Sequence, residues 1–210
     1  MSDILLLIFE LIGTVSFALS GAFTALKKQM DIFGVVILGL TTAVGGGVIR
    51  DLVLGLTPPA TFQNPIYALV AIVTSVIVFF PVVRRIISKK QQLFEKINLV
   101  MDSVGLGVFT VVGIQRAYEL SRENSIFLLV FVGIVTGVGG GVMRDVFSGN
   151  TPYIFVKHFY ATASLIGALV CVLLYGIIGE TMAMISGAAI IVVLRLFAAR
   201  YHWSLPHPSE

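Results

Sequence analysis

The sequence predicts an all-α polytopic membrane protein, with seven transmembrane helices arranged as an inverted 3+3 repeat plus one extra helix. Three observations predict it. The 210 residues are 57% apolar and only 12% charged, whereas a soluble domain is about half apolar and about a quarter charged. Seven apolar stretches each come close to the roughly 20 residues that cross a bilayer. Residues 39–58 recur, almost unchanged in pattern, at residues 133–152.

A mean hydropathy of +1.00 excludes a soluble globular enzyme, a disordered tail and a nucleic-acid module. The net charge of +3 comes from 14 Lys and Arg against 11 Asp and Glu. Most of the basic residues gather in a few short stretches, so a pI near 9.1 reads as membrane topology, not as DNA binding. The single cysteine, Cys171, excludes a disulfide scaffold.

The seven stretches run over about 4–26, 33–54, 64–83, 98–117, 126–147, 158–178 and 182–199. They fill one transmembrane domain over 1–210, with repeat 1 at about 4–83, repeat 2 at about 98–178 and the seventh helix at about 182–199. The first stretch has no basic leader, carries Glu10 inside it and ends at Lys27-Lys28, which is not the pattern of a cleaved signal. A short polar tail with Pro206, His207 and Pro208 ends the chain.

The loops set the orientation. Lys27 and Lys28 lie after span 1, Arg84, Arg85, Lys89, Lys90 and Lys96 between spans 3 and 4, Lys157 before span 6 and Arg200 after span 7. Seven spans put all four groups on one side. The other side has Arg116 and Arg122 offset by Glu119 and Glu123, with Glu180 and Asp3. The positive-inside rule then places the N-terminus outside and the C-terminus in the cytoplasm.

The duplicated segment reads GLTTAVGGGVIRDLVLGLTP and GIVTGVGGGVMRDVFSGNTP, a shift of 94 without a gap. Upstream the shift is 92: Gly13, Phe17, Gly21 and Ala25 match Gly105, Phe109, Gly113 and Ala117. Three spans per copy is odd, so the second copy enters the membrane from the opposite side, as in many transport proteins. Gly45, Gly46 and Gly47 fall near the middle of span 2, and Gly139, Gly140 and Gly141 near the middle of span 5. Such runs weaken a helix and admit close helix packing. They also fit a kinked or broken helix whose freed carbonyls face a water-filled path. Thr41, Thr42 and Thr136 precede the glycines, where a membrane threonine most often bonds its own backbone; on a path they would serve a dehydrated cation.

Arg50-Asp51 and Arg144-Asp145 follow the glycines. Neighbours on a helix do not face each other, so each needs another partner. Glu10 shifted by 92 gives Asp102, and two pseudo-symmetric ion pairs are expected, Glu10–Arg50 and Asp102–Arg144. Their role is to lock helices or to line and gate two mouths. Pro58 and Pro152 are expected to stop the helices. His158, His202 and His207 have no metal-ligand spacing, no nucleotide motif occurs, and no carboxylate falls at the expected midplane, where a proton-coupled pump usually keeps one.

Two three-helix copies with GGGxxRD in each second helix, plus a seventh helix, resemble the prokaryotic trimeric intracellular cation (TRIC) channels over nearly the whole chain. The resemblance implies a homotrimer in the prokaryotic inner membrane, with one pore per protomer surrounded by glycine-bent second and fifth helices. It implies K+ permeation with some Na+. The residues themselves show no nucleophile–base constellation, so no enzyme activity is expected, nor a nucleic-acid partner, a metal or a cofactor beyond permeant K+ and bound lipid. Animal members bind a phosphoinositide near a KEV-type element; GVIRD and GVMRD stand here instead. Some bacterial proteins with this motif are associated with glycine uptake, so a secondary transporter of glycine or another small amino acid is the alternative. A non-conducting scaffold explains the glycines but not the duplicated Arg-Asp.

Overall fold

The computed structural model describes residues 3–81, 83, 85, 90–120, 125–156 and 159–203. The sequence-stretch charges Arg84, Lys89, Arg122, Glu123 and Lys157, together with His158 and the tail from 204, lie outside the described residues. Among the described residues all regular structure is helical. The elements are α1 (Asp3–Lys27), α2 (Ile32–Val53), α3 (Ala60–Gln63), α4 (Ile66–Phe79), α5 (Gln91–Leu120), α6 (Ile126–Phe147), α7 (Tyr153–Val156), α8 (Tyr160–Ile178) and α9 (Glu180–Arg200).

Six of these, α1, α2, α5, α6, α8 and α9, are long and apolar enough to cross a membrane. The expected third span is shorter than its apolar stretch. Helix α4 has 14 residues, about 21 Å at 1.5 Å per residue, against a hydrocarbon core of about 30 Å. It begins after Asn64-Pro65 and stops at Phe80, whose φ of −55° and ψ of 141° are the extended geometry that a following proline imposes.

The capping of α2 and α6 is duplicated along with their sequence. Asp31 accepts the Gly34 N–H at 2.8 Å, and Ser125 accepts the Leu128 N–H at 3.2 Å. At the other end Gly55 and Gly149 take φ of +75° and +69°. The Leu56 N–H then reaches the Asp51 carbonyl and the Asn150 N–H the Asp145 carbonyl, each at 2.8 Å, the geometry of a Schellman motif. The glycine of GxTP therefore ends each helix. The prolines, expected to be the stops, come three residues later and start the connection to α3 and α7.

Helices α1, α2 and α4 pack on one another, as do α5, α6 and α8, and the two triplets meet through α1–α5 and α2–α6. The matching helices run antiparallel. Glu10, Phe17 and Lys27 of α1 contact Arg116, Phe109 and Glu95 of α5, so one number rises as the other falls. The contacts are reciprocal. Thr42 packs on Gly21 and Thr136 on Gly113; Phe17 covers Gly105 and Phe109 covers Gly13. This is a pseudo-two-fold axis relating inverted copies. Helix α9, outside the repeat, packs on α5 and α8.

The glycine runs do not break their helices. Helices α2 and α6 are continuous through Gly45–Gly47 and Gly139–Gly141, so no mid-helix carbonyl is released there. The runs serve the crossing of α2 over α6 instead. A Cβ on Gly46 would meet the Thr136 carbonyl oxygen, and one on Gly140 the Thr42 carbonyl oxygen. Small residues let backbones approach this closely.

Candidate functional site: two inverted charge clusters and their cavities

Each Arg-Asp dipeptide forms an internal pair. Arg50 Nε lies 2.8 Å from Asp51 Oδ1, and Arg144 Nε lies 2.9 Å from Asp145 Oδ1. This corrects the expectation that helix neighbours cannot pair. The rule concerns side chains that leave the helix radially; an arginine near a helix end is long enough to fold back over the next residue. The second aspartate oxygen explains why the aspartate is there. Asp51 Oδ2 accepts the Ala60 N–H at 2.8 Å, and Asp145 Oδ2 accepts the Tyr153 N–H at 2.9 Å. Both are first residues of the short helices α3 and α7. Each aspartate thus aims its arginine and pins the connection that follows. Asp51→Asn is expected to cost about 1.5–3 kcal/mol, the worth of a hydrogen bond to a charged group, read as a lower melting temperature in detergent.

The two clusters differ in the next partner. Arg144 is fully buried, and its Nη1 binds Asp102 Oδ1 at 2.5 Å and Ser20 Oγ at 2.6 Å. Tyr160 OH donates to the same Asp102 oxygen at 3.3 Å, and the Arg195 guanidinium lies 3.7 Å from Asp102 Oδ2 and over the Tyr160 ring. The expected Asp102–Arg144 partners are therefore together. The expected Glu10–Arg50 pair is not formed. Glu10 binds Arg116 at 3.3 Å and accepts from Tyr67 OH. A cavity separates it from Arg50: both line a space of about 60 Å³ with Thr14, Gly47, Tyr67, Phe109 and Arg116. The longer Glu10 reaches the α5 arginine instead.

A second cavity, about 770 Å³, opens at the other end of α1 and α5. It is lined by Thr24, Lys27 and Lys28 on α1, by Glu95, Asn98 and Asp102 on α5, by Asn150, Thr151 and Tyr153 after α6, and by Arg195. Lys27 and Glu95 pair across it at 3.2 Å. Asn98 Oδ1 and Asp102 Oδ2 are buried without a hydrogen-bond partner among the described residues. Among the other sequence candidates, Gly47 and Arg50 line the smaller cavity. Thr41, Thr42 and Thr136 donate to carbonyls one turn back, of Ile37, Leu38 and Val132 at 2.8, 2.5 and 2.6 Å. Thr42 and Thr136 are fully buried and line neither of these cavities.

Five participants were not singled out by sequence: Ser20, Tyr67, Tyr160, Arg116 and Arg195. The tyrosines are legible in retrospect, since Tyr67 and Tyr160 match at a shift of 93, one residue off the motif shift. The arginines have no such signal. Arg116 lies on the repeat-2 helix but serves the repeat-1 carboxylate, and Arg195 comes from the unrepeated helix.

This arrangement defines an inverted-repeat helical membrane protein with two opposed, charged cavities, the fold of TRIC channels. It superposes on a solved TRIC cation channel at 40% identity with a TM-score of 0.83, covering 97% of both chains. The TRIC orthologue of Rhodobacter sphaeroides matches at 32% identity and a TM-score of 0.85, covering 94% of this chain and 98% of that one. The inner membrane protein YadS of Escherichia coli K12 is 38% identical over 200 residues, covering 94% of this chain and 93% of its own length. YvgT of Bacillus subtilis is 31% identical over 203 residues, covering 96% of each. The family described as "Glycine transporter" matches residues 7–82 and 99–176, the two repeats. The chain belongs to this family of integral membrane proteins, whose solved members here are prokaryotic TRIC channels.

Proposed function

We propose that this protein is a passive monovalent cation channel, permeable to K+ and to some Na+, with one path in each protomer of a homotrimer. The observation that carries this is the pair of cavities at opposite ends of the same helices α1 and α5, each reaching a buried carboxylate, Glu10 or Asp102. The path runs along these helices beside the α2–α6 crossing. A cation entering the larger cavity meets Asn98 Oδ1, a buried acceptor without a hydrogen-bond partner among the described residues, and Asp102 Oδ2, which faces Arg195 at 3.7 Å. Selectivity is loose, because the lining has no ring of backbone carbonyls to replace a full hydration shell. The N-terminus faces outward, and the Lys27–Lys28 end, with the larger cavity, faces the cytoplasm.

The solved TRIC channels favour conduction over carriage. The family description keeps glycine transport as the competing reading. Planar-bilayer recording of the purified trimer under a KCl gradient separates them. Discrete currents reversing near the K+ potential are expected, with unitary conductance lowered in Glu10→Gln. Electrical silence with saturable uptake of labelled glycine in liposomes would overturn the proposal.

A further inference from the structure

The path proposed above is polar towards both ends and apolar at its middle. On α1 the residues at successive turns are Glu10, Thr14, Phe17, Ser20, Thr24 and Lys27. Glu10 and Thr14 line the smaller cavity, Thr24 and Lys27 the larger one, and Ser20 binds Arg144 between them. Spacings of three and four residues put all six on one face of the helix. Phe17 is the only apolar member. On α5 the matching turns read Asp102, Leu106, Phe109, Val112 and Arg116, polar at both ends and apolar in the middle, with Phe109 at the centre. Phe109 itself forms the floor of the smaller cavity.

These two phenylalanines meet. Their ring centroids are 5.3 Å apart at an angle of 40°, and both are buried. They are equivalent positions of the two copies, and each ring sits over a glycine of the other copy, Phe17 on Gly105 and Phe109 on Gly13. Phe17 also reaches Gly140 at the α2–α6 crossing. The rings therefore lie on the pseudo-two-fold axis, where the cavities would otherwise join.

We infer that Phe17 and Phe109 form a hydrophobic gate: a two-ring apolar septum that keeps the path dry at its middle and that conduction must displace. Narrow apolar constrictions block ions by excluding water, without a charged barrier. The gate therefore controls how often the path is wet, and leaves the choice between cations to the polar cavities on either side. This inference rests on the conduction reading.

The test is single-channel recording of wild type, Phe109→Asn and Phe109→Leu, each first shown to run as a monodisperse oligomer of wild-type size. Phe109→Asn wets the septum, and its mean current is expected to rise at least about fivefold with an unchanged reversal potential. Phe109→Leu keeps the layer apolar, and its mean current is expected to rise less than that of Phe109→Asn. A merely structural ring gives no gain of current in either variant. Where Phe109→Asn does not fold, Phe109→Tyr keeps the ring and adds the polar group, and the same rise is expected. Wild-type current with no rise in the polar variant overturns the gate while leaving the channel standing. A silent wild type beside a conducting polar variant supports the gate. Silence in every variant overturns the conduction reading and the gate with it.

Discussion

Asp102→Ala is expected to remove about 3–5 kcal/mol of stability, enough to deplete the folded oligomer, because it leaves the fully buried Arg144 without its carboxylate. Arg144 would retain Ser20, Asp145 and its stacking over the Tyr153 ring. Tyr160 OH and Arg195 lose the same partner. An arginine cannot escape by giving up its proton, so the charge stays buried. The equivalent change in the other copy, Glu10→Ala, is expected to cost less, about 1–2 kcal/mol, chiefly because Tyr67 OH loses its acceptor. Its ion-pair partner Arg116 is one-third exposed and turns to Glu119, already 3.1 Å away, so no buried charge is left unpaired. The check is thermal melting of both variants in one detergent, followed by size-exclusion chromatography. Equal losses would mean that the two clusters are equivalent, contrary to the different geometry of their pairs.

That contrast marks how far the sequence could be read. The duplicated motif makes the fold class and the inverted repeat legible, because a 94-residue shift without a gap leaves few alternatives. It also makes Asp102–Arg144 legible, through the match of Asp102 to Glu10. Symmetry then misleads at Glu10–Arg50. A glutamate is one methylene longer than an aspartate, and Arg116 stands within its reach with no equivalent in the other copy. The real symmetry lies in features that need three dimensions. Each aspartate reaches forward to the start of a short helix, and each tyrosine reaches back to a carboxylate from the third helix of its repeat. The length of α4 was legible in part. Its apolar stretch continues to residue 83, but Pro81, which reads as a helix stop, fixes an extended residue before it and ends the helix early.

The glycines supply the sharpest test, because three adjacent residues of one type are expected to behave differently. Gly46→Ala should cost about 3 kcal/mol, the upper end for overpacking. The new Cβ would overlap the Thr136 carbonyl oxygen and approach Gly140 N at 3.4 Å, so it meets backbone and no rotamer relieves it. The helices α2 and α6 must separate, and the Phe17 ring seated on Gly140 moves with them. Gly47→Ala meets nothing nearer than Arg50 Nη2 at 3.8 Å. There the helical preference for alanine acts alone and favours the folded state by up to about 1 kcal/mol. Gly45→Ala falls between, since it meets the flexible Met143 side chain. Melting temperatures in detergent are thus expected in the order Gly47→Ala, Gly45→Ala, Gly46→Ala, from highest to lowest. If the glycines instead served to loosen the helix as a hinge, every alanine would stabilise the fold and the ordering would vanish. A steep fall at the middle position alone identifies the triplet as a crossing point, with one glycine required by contact and its neighbours by smaller clearances.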